Sequence, residues 1–373
     1  MHIGLVIYGS LDTLSGGYLY DRKLVEYLRG QGDSVEIISL PWRNYTAHLT
    51  DNFWFRLWSP GARSRDSRQQ AVGLQSFDIL IEDELNHPSL IFANRGKHPY
   101  PIISLVHHLR CSEVRPKWQN ALYRVVEKKY LNSVDGFIFN SRTTERVVNS
   151  LLENKKPNVV AYPPTDQFGV LLSENEIRER ANADEFRILF LGNVIYRKGL
   201  HTLLEAVKDL RQSLELAEGS RVQVDIVGSL NSEPAYVKLI QEFIVKNHLS
   251  AFVLLHGSLD KEPLIQKLKE AHVLVVPSSY EGFGIVYLEG MGFGLPAIGT
   301  TAGAAGEIIE HGQTGYLIAP DDSRTLAEHL QSLAEDRGTL TRLSLNARAR
   351  YLRQPSWTET AKRIRDFLYS LTQ

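Results

Sequence analysis

Residues 272–300 read HVLVVPSSYEGFGIVYLEGMGFGLPAIGT. HVLVVPSS is apolar without alternation, the pattern of a strand covered on both faces of a parallel sheet. Glu281-Gly282-Phe283-Gly284 reads as a turn, and a helix is expected from near Ile285. Six glycines between 278 and 300 make this a poor ordinary helix. Glycines instead let the backbone approach a ligand closely, and the N–H groups of a helix start can receive an anion. Glu281 falls in the loop at the strand exit. Glu289 falls about one turn into the helix, on the side still facing a ligand. Two carboxylates so spaced suit different parts of one elongated ligand rich in hydroxyls, such as a sugar or ribose. The competing view is a capping carboxylate followed by a solvated helix face.

The alternation of strand and helix extends outward from this stretch. HIGLVIYG (2–9), the glycine pair Gly16-Gly17, a helix over 18–32 and SVEIISL (34–40) form a β-loop-α-β unit, which implies a parallel sheet. DILIED (78–83), PIISLVHH (101–108), a helix around 115–131, GFIFNS (136–141), a helix from 142 to about 153, and NVVAYPP (158–164) complete one series. FRILFLGN (186–193) opens a second, with helices over 199–216, 234–247 and 261–271 between further strands. The polar segment 165–185 separates the two. The expected fold is α/β, two Rossmann-like doubly wound domains facing across a cleft. One domain spans 1–165 plus the helix of 355–373 packed back on it, and the other spans 166–354.

A length of 373 residues suits two domains, with 43% hydrophobic and 23% charged residues typical of a globular protein. A formal net charge of −1 provides no global field for nucleic acid, which is excluded as a partner class. The single cysteine, Cys111, rules out an intramolecular disulfide and fits a reducing compartment; beside His107 and His108 it is either a nucleophile or an inert thiol. No basic n-region opens the chain and no apolar run nears the ~20 residues that span a bilayer, so a cytoplasmic protein is expected, with the inner membrane face left open.

Strand exits are where open parallel sheets bind ligands. NVIYRKGLHTLLEAV (193–207) puts Arg197 and Lys198 just before a glycine and a helix start, an arrangement suited to a diphosphate; the bland alternative is an exposed basic pair. Gly16-Gly17 either lies against the same diphosphate or makes a simple turn. No GxxxxGK[ST] loop is present, and the first β-α turn, YGSLDTLSGG, lacks GxGxxG, which disfavours P-loop NTPases and dehydrogenases. Glu82-Asp83-Glu84 superficially resembles a metal site, but hydrogen bonding toward an acceptor is the expected role of Asp83 and Glu84.

Glu281-Gly282-Phe283-Gly284 through Glu289 resembles the E-x7-E motif of retaining glycosyltransferases of the GT-B fold, specifically glycosyltransferase family 4. The surrounding VVPSSYEGFG, LEGMGFGLPAIGT and GEIIEHGQTGYLIAPDD are similar to that family's usual wording, as are LFLGNVIYRKGLHTLLEA, VDIVGS, VLLHGSL and SWTETA in order. The resemblance implies that Glu289 holds the nucleotide ribose and Glu281 faces the donor sugar. Amides around Phe283, Gly284 and Ile285 would meet the sugar and diphosphate, Arg197 and Lys198 would neutralise the leaving diphosphate, and Gly17 would approach the phosphates. Asn193 and Gly228 mark two further strand exits of the donor side, and His256-Gly257 would frame the base. His107 matches the family's histidine near the reacting sugar, with His108 as the alternative. Asn193 stands where many relatives carry arginine, so which of Arg197 and Lys198 reaches the phosphate stays open. Neither metal nor cofactor is expected. A UDP-sugar is the expected donor, with glucose the first choice on family frequency; GDP- or ADP-sugars and a nucleotide-sugar epimerase of the same fold are the alternatives. The expected acceptor is a saccharide or lipid-linked saccharide in polysaccharide or glycoconjugate synthesis. Segment 41–68 interleaves Trp42, Phe53, Trp54, Phe55 and Trp58 with arginines, suiting sugar stacking and peripheral membrane contact, or else an aromatic helix face in the core.

Overall fold

The computed structural model describes all residues except 14, 55–76, 97, 165–167, 170–171, 214–221 and 373. The chain divides into two compact units, Met1–Pro163 with Pro355–Gln373, and Pro164–Gln354. The strands of the first are β1 (His2–Tyr8), β2 (Ser34–Leu40), β3 (Ile79–Asp83), β4 (Ile102–Val106), β5 (Gly136–Phe139) and β6 (Asn158–Val160). Its helices are α1 (Gly16–Gly30), α2 (Tyr45–Trp54), α3 (His87–Leu90), α4 (Lys117–Leu131) and α5 (Arg142–Asn149). The second unit carries α6 (Glu174–Ala181), α7 (Leu200–Ser213), α8 (Pro234–Lys246), α9 (Lys261–Glu270), α10 (Ile285–Gly292), α11 (Ser323–Glu335) and α12 (Arg337–Leu352). Its strands are β7 (Phe186–Leu191), β8 (Val222–Val227), β9 (Val253–Gly257), β10 (Val273–Val275), β11 (Ala297–Thr300) and β12 (Gly315–Ile318). A final helix, α13 (Trp357–Leu371), belongs to the first unit.

Both sheets are six-stranded and parallel throughout, in the orders β2-β1-β3-β4-β5-β6 and β12-β11-β10-β7-β8-β9. These are two Rossmann-like α/β units. Strand alternation sends Ile3, Leu5 and Ile7 to one face of the first sheet, where they meet Leu24 of α1 and Ile364 and Leu368 of α13. Val6 and Tyr8 go to the other face, among Leu80, Ile102 and Phe137. A capping box starts α13, in which Ser356 accepts from the Glu359 N–H and Glu359 from the Ser356 N–H. Arg365 of α13 pairs with Asp33 at 2.6 Å, and Asp33 also takes the N-terminal ammonium at 2.8 Å.

Four local features depart from the sequence expectations. Gly16-Gly17 is the first turn of α1, capped by Ser15, and not a loop ahead of it. The polar segment 165–185 contains α6, which has its own capping box at Ser173 and Glu176. The strand expected over 272–279 ends at Val275, because Pro277 offers no N–H to a ladder. Among the described side chains of α2 the buried ones are polar: His48 stacks on Tyr8 at 4.0 Å, Asp51 accepts from Ser89 at 2.7 Å, and Asn52 donates to the Pro88 carbonyl at 2.5 Å. Trp42 and Phe53 are exposed, while residues 55–68 of the aromatic-arginine segment, and the Trp54 side chain, lie outside the described residues. Among the described residues no helix is long and apolar enough to cross a membrane.

Candidate active site

In the second sheet, strand order reverses between β7 and β10, and the loops leaving these two neighbours meet at the switch point. The β7 loop carries Arg197 and Lys198 in a single 3-10 turn, Tyr196–Lys198. The β10 loop carries Ser278 and Glu281. Ser279 N–H donates to the Arg197 carbonyl at 2.8 Å, and the Arg197 guanidinium returns a bond of 2.7 Å to the Tyr280 carbonyl. The loops cross so closely at Gly199 (φ 71°) that a Cβ there would lie 2.1 Å from the Pro277 carbonyl oxygen. Lys198 Nζ thereby reaches Glu281 Oε1 at 2.5 Å, and Ser278 Oγ donates to the same oxygen at 2.6 Å. Arg197 stands 3.9 Å from it.

Burial by itself would raise the Glu281 carboxyl, but the Lys198 and Arg197 cations and the two hydrogen bonds outweigh it and hold the group below the usual range. Glu289 is as buried, and there the balance falls the other way. Burial pushes it up to about 7, with Lys198 offsetting part of the rise. One ammonium therefore acts on both carboxylates of the E-x7-E motif. Gly284 forms the N-cap of α10 at φ 92° and, as a glycine, brings no capping side chain of its own. Glu281 itself is anchored by Ala304, whose N–H donates to its carbonyl at 2.8 Å.

The remaining second-unit residues lie around this centre without joining it. Asn193 Oδ1 accepts weakly from the Ser229 N–H at 3.4 Å, and Gly228 N–H donates to the Gly257 carbonyl at 2.9 Å, so the exits of β7, β8 and β9 are laced together. A register shift in the β8–β9 pairing falls at His256, which is skipped between Leu255 and Gly257. Its Nε2 lies 2.5 Å from Asp225 Oδ1, which also takes Lys267 Nζ at 2.9 Å. His256 is thus engaged with a buried aspartate and a lysine of α9.

In the first unit the order reverses between β1 and β3, and a second polar cluster collects there. His107 follows β4. Its backbone N–H donates to Glu84 Oε2 at 2.9 Å, its carbonyl accepts from Asn140 at 2.8 Å, and its Nε2 lies 3.2 Å from Asp21 Oδ1. Gly17 makes room for the ring: a Cβ there would stand 3.2 Å from Cδ2. Asp83 and Glu84, expected to face an acceptor, are buried at 1% and 3% exposure; Asp83 caps the Leu85 N–H at 2.8 Å. They support His107 from beneath. His108 turns to Glu113 at 3.0 Å and takes no part. Burial pushes the Cys111 thiol up to about 12, the behaviour of an inert cysteine.

Asp21, Asp83 and His107 offer ligand atoms within 4.8 Å of one another, the arrangement of a small cation site. Asp21 Oδ2 and Asp83 Oδ2 have no hydrogen-bond partner. Burial pushes Asp21 up to about 7, and burial with the Asp21 charge raises Asp83 too. Two buried carboxylates side by side are accommodated when they share one proton, which also satisfies both orphan oxygens. Burial lowers His107, partly offset by the Asp83 charge, and its Nε2 stands at ion-pair distance from Asp21. Asp21 is the residue that motif reasoning missed. In YLYDRK it is the first of three consecutive charged residues, and nothing local marks it as the buried one.

Residues 173–350 match the model of the family described as Glycosyl transferases group 1. With that domain and two doubly wound units, the protein is a glycosyltransferase of the GT-B fold. An uncharacterised glycosyltransferase of Methanocaldococcus jannaschii is 24% identical, covering 97% of this chain and 96% of its own. CapM of Staphylococcus aureus, a capsular polysaccharide biosynthesis glycosyltransferase, is 26% identical over 60% of this chain and 58% of CapM. Anabaena HepE, solved in complex with UDP and glucose, shares the fold with a TM-score of 0.70 at 18% identity, over 100% of both chains.

Proposed function

We propose that this protein moves a sugar from a nucleoside-diphosphate donor to a saccharide or lipid-linked saccharide acceptor, with retention of anomeric configuration, as in glycosyltransferase family 4. The observation that carries the proposal is Lys198 bonded to the buried Glu281, ahead of the glycine-capped start of α10, the helix that carries the buried Glu289. A cation and free helix N–H groups suit a diphosphate, and buried carboxylates on either side suit the hydroxyls of ribose and sugar. UDP-glucose is the donor of first choice, supported by the UDP and glucose bound to HepE. CapM supports a place in polysaccharide synthesis.

In this mechanism Lys198, Arg197 and the α10 start neutralise the diphosphate as the bond from the anomeric carbon to its oxygen breaks. The acceptor hydroxyl attacks from the same face, and its proton passes to the departing phosphate oxygen. Glu281 is assigned to holding the donor sugar and Lys198, with its Oε1 taking two donors. His107 is assigned to the reacting sugar. The residues supply the charge that a divalent cation would, so turnover should survive chelation. Incubation with a panel of UDP-, GDP- and ADP-sugars, with NMR of the product's anomeric proton, tests this. The absence of both binding and turnover with every donor sinks the transferase assignment, and an inverted product sinks retention.

A further inference from the structure

Helix α4 exposes Trp118, Leu122 and Val125 at 64%, 60% and 54%, with Val114 exposed just ahead of it. These positions follow helical spacing and stand on one face. The same outward face bears Lys117, Arg124, Lys128 and Lys129, all exposed. The one acid of the helix, Glu127, points inward and is 1% exposed, accepting from the backbone N–H groups of Arg110 and Cys111 at 2.6 and 3.2 Å. Beside the helix lies a depression of about 480 Å³, lined by Arg95, Val125, Lys128 and Lys129 and by one acid, Glu153, which pairs with Lys128 at 3.5 Å and leaves the cations in excess. Arg95 sits over the ring of Phe92, itself 40% exposed, at 4.2 Å. On a chain with a net charge of −1, this is a local concentration of cations around an uncovered apolar stripe.

We infer that the outward face of α4 docks onto an anionic bilayer surface. An interfacial helix needs an apolar face that enters the headgroup boundary and cations that meet acidic lipids, and tryptophan is favoured at that depth. The adjoining basic depression suits a lipid phosphate. A second copy of this chain would set like charges against one another, which disfavours self-association through the face. No residue of the face belongs to the candidate active site, so the inference does not depend on the transferase assignment.

The test is co-sedimentation of the full chain with phosphatidylcholine vesicles, with and without added phosphatidylglycerol. Two variants accompany it, Lys117→Glu/Arg124→Glu/Lys129→Glu and Trp118→Ser/Leu122→Ser, each verified to melt as the parent does. The parent should sediment with the anionic vesicles only and release as salt screens the charge. The charge reversal should lower partitioning at least about a hundredfold, and the apolar variant about tenfold. Failure of the parent to bind anionic vesicles overturns the inference, as does binding that neither variant changes. A dimer in solution that Trp118→Ser/Leu122→Ser abolishes, without vesicle binding, assigns the face to protein contact and overturns it too.

Discussion

Lys198 holds two buried carboxylates in check, and its loss has separable consequences for folding and catalysis. In Lys198→Met, Glu281 is left buried with the Ser278 hydroxyl and, as its one nearby cation, Arg197 at 3.9 Å, so stability should fall by about 3 kcal/mol or more. Adding Glu281→Gln removes the uncompensated charge and should restore most of that stability in urea titrations. Turnover should stay down about a hundredfold or more in both, because the diphosphate has lost its cation. A Lys198→Met enzyme with near-normal kcat would refute that role. Asp21 makes a pH prediction. Its carboxyl keeps a proton up to about 7 in the folded chain, against an ordinary value of 3.8. Between those values the folded state binds more protons than the unfolded, so this contribution is full below the window and is lost as pH rises through it. The stability gap between the parent and Asp21→Asn should therefore shrink from about pH 4 to about pH 7 by on the order of a few kcal/mol. A gap that is flat with pH would show that no proton is held there.

At the scale of elements, the crossing of the β7 and β10 loops is the feature most sensitive to a single methyl. Gly199→Ala places a Cβ against the Pro277 carbonyl in a left-handed conformation, so thermal or urea unfolding should show a loss of about 3 kcal/mol or more. It should also part Lys198 from Glu281 and reduce turnover. Helix α13 is the other informative element, since it follows the second unit in sequence yet completes the core of the first. Ser356→Ala removes one half of its capping box and should lower stability by about 1 kcal/mol. Deleting 355–373 uncovers Ile364 and Leu368's partners on β1 and leaves Asp33 without Arg365, so the first unit should lose its cooperative transition in circular dichroism. A truncated chain that melts as the parent does would contradict that packing.

On the scale of the whole molecule, two units with separate sheets and cores should answer a donor differently. The Lys198–Glu281–Glu289 centre belongs entirely to the second unit. UDP at a hundred times its dissociation constant should stabilise that unit by about 2.7 kcal/mol. Hydrogen exchange should find protection in 192–199 and 278–290. Without protection in either segment, the donor cradle would have to be placed elsewhere.

The order of strands and helices was legible in the sequence, because apolar continuity, helical period and caps are local signals. So was the position of the strand exit at 278–284 and of the helix that follows it, since an apolar run ends there in a glycine-rich turn. The neighbours of each strand were not legible. A crossover helix can return a parallel strand beside any other, and packing of the two sheet faces makes that choice. The choice put β7 next to β10 and β1 next to β3, bringing Lys198 to Glu281 across 83 residues and Asp21 to His107 across 86. It also turned the only acid of α4 inward and its cations outward, which sequence alone leaves undecided. The sequence by itself determined the order of elements and which residues stand at each strand exit; only the tertiary structure decided which charges meet, because burial and strand order are properties of the packed sheet.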